Sequence, residues 1–178
     1  MNTPADHELT EWLMSADAKS FAERIERLQF VRKQYNHEYG ILFPGGPVPA
    51  RAFEEMQFSY VNGAYLSCVL TAQVVLEHVM VGMLDWIDRD DLDGFGFLQL
   101  CQAALSENLI TQQEFDQFNS LRRLRNPYTH SSPFMGRSCI IRRTVESGNP
   151  PEELFKADAQ VALRAVISLF SHPPFALD

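Results

Sequence analysis

Residues 52–88 read AFEEMQFSYVNGAYLSCVLTAQVVLEHVMVGMLDWID, and this stretch decides the fold. Phe58, Val61, Tyr65, Cys68, Val69, Ala72, Leu76, Val79 and Met83 recur at steps of three and four. On a helical wheel they fall within a sector about 100° wide, sustained for about seven turns. The spacing predicts one long helix, Ala52–Asp88, at the centre of a helical bundle. The acidic stretch Asp85–Asp93 ends it, and Gly94 and Gly96 make the turn that follows.

Working outward, the preceding stretch Phe43–Pro49 (FPGGPVP) predicts a loop, because two glycines among three prolines interrupt a helix or a sheet. Two helices are expected before it, a short one at Asp6–Met14 and a longer one at Ala18–Glu38. The second would turn Phe21, Ile25, Leu28, Val31 and Tyr35 inward and stop at Gly40. On the C-terminal side, Phe97–Asn108 predicts a short helix with Leu98, Cys101, Leu105 and Leu109 inward. Thr111–Glu114 (TQQE) has the form of a capping box opening another helix, along which Phe115, Phe118, Leu121 and Leu124 face the core. Ser138–Val145 suits a short strand, and Pro151–Phe170 a closing helix stopped by Pro173 and Pro174. The expected architecture is all-α, an up-and-down bundle of four to six helices with little or no β-structure. The chain divides into an N-terminal helical extension (1–43), a Pro/Gly loop (44–50) and the bundle (51–171), all in a single domain (1–178).

A chain of 178 residues with 46% hydrophobic content is long enough to bury a core and too apolar to be disordered. The densest apolar stretch, Val61–Ile87, carries Gln73, Glu77, His78 and Asp85, so no membrane span is expected. Met1–Glu11 is polar and acidic, unlike a secretory leader, which points to the cytoplasm. Cys68, Cys101 and Cys139 are odd in number and widely spaced, which argues against a disulfide framework or a zinc site. His7, His37 and His172 lack ligand-spaced neighbours, and His78 points to the solvated side of its helix. No metal and no cofactor is expected.

The net charge is −8, which disfavours general affinity for nucleic acid. The charge is nevertheless uneven. Between Arg122 and Arg143 stand six arginines (122, 123, 125, 137, 142 and 143) and no acidic residue. Such a patch on an acidic body can meet phosphate, an acidic partner surface, or only water.

Within it, Leu121–His130 reads LRRLRNPYTH. Arg123 projects on the side opposite Phe115, whereas Arg125 falls between Phe118 and Leu121 on the apolar face. A guanidinium there needs a partner or a stem that reaches water, and Glu77, at the edge of the central helix's apolar face, is a candidate for that pairing. Pro127 removes a backbone donor and Asn126 suits an N-cap, so a kink or restart is expected between them. On a straight helix Arg125 and His130 would stand about 140° apart. A bend, or apposition with a second copy of the chain, would bring them to one cleft.

Leu-Arg-Asn-x-x-x-His at the end of a helix resembles the signature of the HEPN family (higher eukaryotes and prokaryotes nucleotide-binding): an Arg, four to six residues, then a His, often with Asn after the Arg. Here these are Arg125, Asn126 and His130. The closing helix, with Asp158–Val166 of the type Asp-Ala-x-x-Ala-Leu-x-Ala-Val, is also similar, and the resemblance spans roughly Ala52–Phe170. It implies a homodimer whose two motifs face each other and cleave RNA without metal. A histidine can take the 2′-hydroxyl proton or protonate the leaving 5′ oxygen. An arginine can hold the non-bridging phosphate oxygens. Asn126 would orient the histidine or the phosphate, or cap a helix. Arg122, Arg137, Arg142, Arg143 and Tyr128 would contact the RNA. Two positions depart from the pattern. Ser132 stands where toxin-type members carry a modifiable tyrosine, and Pro127 replaces the usual apolar or charged filler.

The expected function is therefore an endoribonuclease in a toxin–antitoxin, phage-defence or other stress system, with RNA as substrate and an antitoxin or other protein as a possible partner. Two alternatives stay open. One is a non-catalytic HEPN-like module binding a nucleotide, RNA or protein. The other is a helical dimerisation protein in which Arg125 pairs with a carboxylate across the interface.

Overall fold

The computed structural model describes residues 4–35, 41–130, 136, 139–171 and 175, with the side chains of 4–6 excepted. Among them the chain forms seven helices and no strand: α1 (Pro4–Arg32), α2 (Pro47–Val61), α3 (Tyr65–Asp85), α4 (Phe97–Ser106), α5 (Gln112–Thr129), α6 (Ile140–Ser147) and α7 (Pro151–Leu169). This is the expected all-α bundle, with one helix more than the upper expectation. α3 is its axis, packed against α2, α4, α5 and α7, while α1 lies on α2 and α6 on α7. Met56, Tyr60, Leu76, Met80, Phe118, Leu121, Leu163 and Phe170 are fully enclosed around it. α3 is long and apolar enough to cross a membrane by length and composition, and more than half of its most apolar window is buried inside the bundle.

The single central helix expected over 52–88 is two helices. The chain breaks at Asn62–Ala64, where Gly63 takes φ +78°. The Ala64 amide donates to Ser59 O and the Gly63 amide to Tyr60 O, the paired bonds of a Schellman stop. Periodicity carries through this break because α3 folds back along α2 and the apolar residues of both still face one core. Phe58, expected inward, is exposed. Arg27 of α1 seals the corner: its Nε donates to Val61 O at 2.7 Å and its Nη1 to Tyr65 Oη at 3.3 Å. A cation there meets the negative end of α2.

The Pro/Gly stretch is only half a loop. Pro47 opens α2 and Pro49 is buried in its first turn, where a missing amide hydrogen costs nothing. The two helices expected before it are one, because Ser15–Asp17 contains no residue that stops a helix. Phe21, Ile25 and Leu28 are exposed, whereas Val31 and Tyr35 do face the core, joined there by Arg27 and Phe30. The Gly40 stop lies outside the described residues, as do Pro173 and Pro174.

The capping box at Thr111 forms: the Glu114 amide donates to Thr111 Oγ1 at 3.2 Å and the Thr111 amide to Glu114 Oε2 at 2.7 Å. The segment expected as a strand is the helix α6, which Arg142 and Glu146 brace one turn apart. A strand there would have had no neighbour to pair with.

Candidate functional site

α5 buries Phe118 and Leu121 against the core. That anchoring fixes what the rest of the helix presents. Arg122, Arg125 and Asn126 come to the wall of a shallow cleft completed by Gln73 and Glu77 of α3 and by Gly96, Phe97 and Leu98 at the start of α4. Arg122 donates through Nε and Nη2 to Asn119 Oδ1 at 3.1 and 3.0 Å. Arg125 donates through Nη1 to Thr129 Oγ1 at 3.1 Å and reaches Asn126 Oδ1 at 3.5 Å. Both arginines are half-buried with neutral partners. Arg123 projects into solvent, as its wheel position requires.

Glu77 and Arg125 line the same cleft, yet no ion pair joins them among the described residues. The cleft therefore holds two guanidinium groups and a carboxylate that do not neutralise one another by contact. Cys101 lies buried beneath and senses both signs. Burial pushes its thiol up to about 12, Glu77 pushes the same way, and Arg122 opposes.

Gln73 is the residue that the sequence reading passed over. It is 5% exposed, and its Oε1 accepts no hydrogen bond among the described residues. The signal was present: Gln73 shares a face with Val69, Leu76 and Met80, all buried, so it is a polar residue on a core stripe.

The chain runs through Pro127 without a restart. α5 continues to Thr129, and the His130 amide still donates to Asn126 O at 3.0 Å. Pro127 is tolerated because it lies three residues from the helix end, where one lost bond leaves little helix beyond it. Asn126 is consequently a residue of the helix body and not an N-cap. His130 is the exposed C-cap, with extended φ −125° and ψ 128°. It is not among the residues that line the Arg125 cleft.

The other expected contacts divide. Tyr128 Oη donates to Asp158 Oδ2, and Arg143 donates to the same carboxylate at 2.6 and 2.7 Å. Asp158 is buried on α7, so this network clamps α5 and α6 to α7. Burial, then the Asp158 carboxylate, raises the Tyr128 hydroxyl well above its ordinary range, and the Asp158 bond likewise raises Arg143. Arg142 is held by Glu146 at 2.6 Å. Arg137, His37 and His172 lie outside the described residues.

Electrostatically, the basic segment is thus partly spent within the fold: Arg142 and Arg143 face carboxylates, while Arg122 and Arg125 face none among the described residues. No family model, no curated protein and no solved structure matches the chain.

Proposed function

We propose that the protein is a metal-independent endoribonuclease of HEPN type, acting in the cytoplasm as a homodimer in a toxin–antitoxin, phage-defence or other stress system. The observation that carries the reading is Arg125. It stands on the last turns of α5, half-exposed and with no carboxylate partner among the described residues, five residues before the exposed His130.

In this reading Arg125 and Asn126 hold the non-bridging oxygens of a phosphodiester. A histidine takes the proton of the neighbouring 2′-hydroxyl, whose oxygen attacks phosphorus. The P–O5′ bond breaks and the 5′ oxygen receives a proton, which leaves a 2′,3′-cyclic phosphate and a 5′-hydroxyl. Because α5 continues through Pro127 and His130 does not line the Arg125 cleft, His130 of one copy would act on the phosphate held by Arg125 of the other.

The placement of His130 outside the cleft favours a second reading. Among the described residues of a single chain, Arg125 lines a cleft that no histidine lines, which suits a module that binds RNA or a nucleotide without turnover. Cleavage of a mixed RNA pool in excess EDTA separates the two. Wild type should cleave, leaving cyclic phosphate ends, and Arg125→Ala and His130→Ala should each lose at least about 100-fold. Retention of RNA without cleavage selects the binding module. Equal cleavage by all three proteins overturns the assignment of both residues.

A further inference from the structure

α1 outruns the bundle it joins. It lies antiparallel to α2: just past its end Tyr35 donates to Gln57, Phe30 packs its ring on Tyr60, and Arg27 donates to the carbonyl of Val61, where α2 stops. The helix before Arg27 therefore projects beyond the α2–α3 corner, and none of residues 7–26 is buried. Such a stretch of helix spans about 30 Å, and without tertiary packing it is marginal in water.

The projecting arm is not polar all round. Leu13, Met14, Phe21, Ile25 and Leu28 are exposed, and on a helical wheel they share a sector about 120° wide with the buried Val31. One apolar arc thus runs along α1, and the bundle covers only its C-terminal end. Glu8, Glu11, Lys19, Glu26 and Gln29 occupy the opposite side. Between Leu13 and Leu28 two charges interrupt the arc, Asp17 and Arg24, which meet at 2.9 Å within the chain.

This order of groups is complementary to itself. Two arms laid antiparallel about a two-fold axis between Ser20 and Phe21 set Phe21 opposite Ser20, Ile25 opposite Ala16 and Leu28 opposite Leu13. Large side chains then meet small ones in two of the three layers. Asp17 of each copy comes opposite Arg24 of the other, so the charges inside the arc stay paired as water leaves. Covering the arc on both copies would bury roughly 1,200 Å² in total, enough for a specific interface.

We propose that α1 is a dimerisation arm, which pairs antiparallel with α1 of a second copy of this chain. The arms leave the bundle at the end where α5 stops: Cys68, in the first turn of α3, contacts the Ala159 carbonyl, and the neighbouring Asp158 accepts from Tyr128. Paired arms therefore turn the two α5 ends toward each other. The inference takes from the proposed function only that two copies associate, and adds the surface that joins them.

The test is sedimentation equilibrium of the full chain at micromolar concentration. Wild type should be a dimer. Phe21→Glu combined with Ile25→Glu, at positions exposed in a single chain, should raise the dissociation constant at least about 100-fold while thermal unfolding stays cooperative. Asp17→Arg and Arg24→Asp should each raise it at least about tenfold, because like charges would meet at both positions. Mixed in equal amounts, these two variants should pair with each other about as tightly as wild type pairs with itself. Parallel arms would set like charge on like charge in wild type and predict no such loss. A monomeric wild type, a dimer that the apolar double variant leaves intact, charge variants that self-associate as wild type does, or a mixture no tighter than its parts overturns the proposal. A dimer lost in these variants of a chain that never cleaves RNA leaves this inference standing and removes the ribonuclease reading. RNA cleavage by a monomeric wild type does the reverse.

Discussion

Arg143 grips the two carboxylate oxygens of Asp158 with both guanidinium amino groups, at 2.6 and 2.7 Å. Asp158 is 5% exposed in its side chain and Arg143 26%, so the two ends of the pair are unequally sheltered. Removing the arginine leaves a buried carboxylate with the Tyr128 hydroxyl as its one remaining side-chain partner among the described residues. Removing the aspartate lets the arginine turn to water. Arg143→Ala should therefore cost about 3 kcal/mol, and Asp158→Ala less, about 2 kcal/mol. The double variant should cost less than the sum. Urea denaturation of the three proteins checks the order, and additive losses would show that the pair is not coupled.

Gly82 is where α3 meets the Pro/Gly stretch. A β-carbon there would stand 2.2 Å from the Gly45 amide nitrogen and 2.6 Å from the Pro44 carbonyl carbon, both backbone atoms. Gly45 is itself at φ +84°, with the His78 carbonyl oxygen 2.7 Å from its own missing β-carbon. Neither side can yield by rotating a side chain. Gly82→Ala should destabilise by about 3 kcal/mol, although alanine favours helix at an open site. A thermal midpoint equal to or above that of wild type would contradict the close approach.

Three tyrosines should ionise late. Burial pushes Tyr35 up to about 12 and raises Tyr60, and burial with Asp158 raises Tyr128 further. The unfolded chain releases these protons near pH 10 while the folded chain retains them. Their contribution is fully present below pH 10 and declines as pH rises through the folded values. Absorbance at 295 nm should show part of the tyrosine signal delayed in the native protein and a single step near pH 10 in urea. A single step near pH 10 in both would refute the buried placements.

The sequence conveyed the helical class, the capping box at Thr111 and the closing helix, because each depends on local spacing or chemistry. It conveyed the central helix less well. Asn62–Gly63 is a strong stop signal, but the apolar period runs across it, and a helix folded back on its neighbour keeps the same core. The strand expected at Ser138–Val145 failed for a related reason: Ile140 and Ile141 suit either structure, and the tertiary partner Asp158 is far away in the chain. In the cleft, Arg122, Arg125 and Asn126 were legible as a motif. Gln73 was visible only as one polar letter in an apolar run, since nothing local records whether a buried amide finds a partner. Tyr128 and Arg143 looked available for RNA because Asp158 is invisible until α7 is packed.

Arg125 and His130 are proposed to act together across two copies of the chain. The direct measurement mixes Arg125→Ala with His130→Ala subunits, refolded together from denaturant, and assays RNA cleavage in EDTA. Half of the dimers would be mixed, each with one of its two composite sites intact, so activity should return to about a quarter of wild type while each variant alone stays inactive. A mixture as inactive as its components, from a wild type that cleaves, would contradict a site shared between copies.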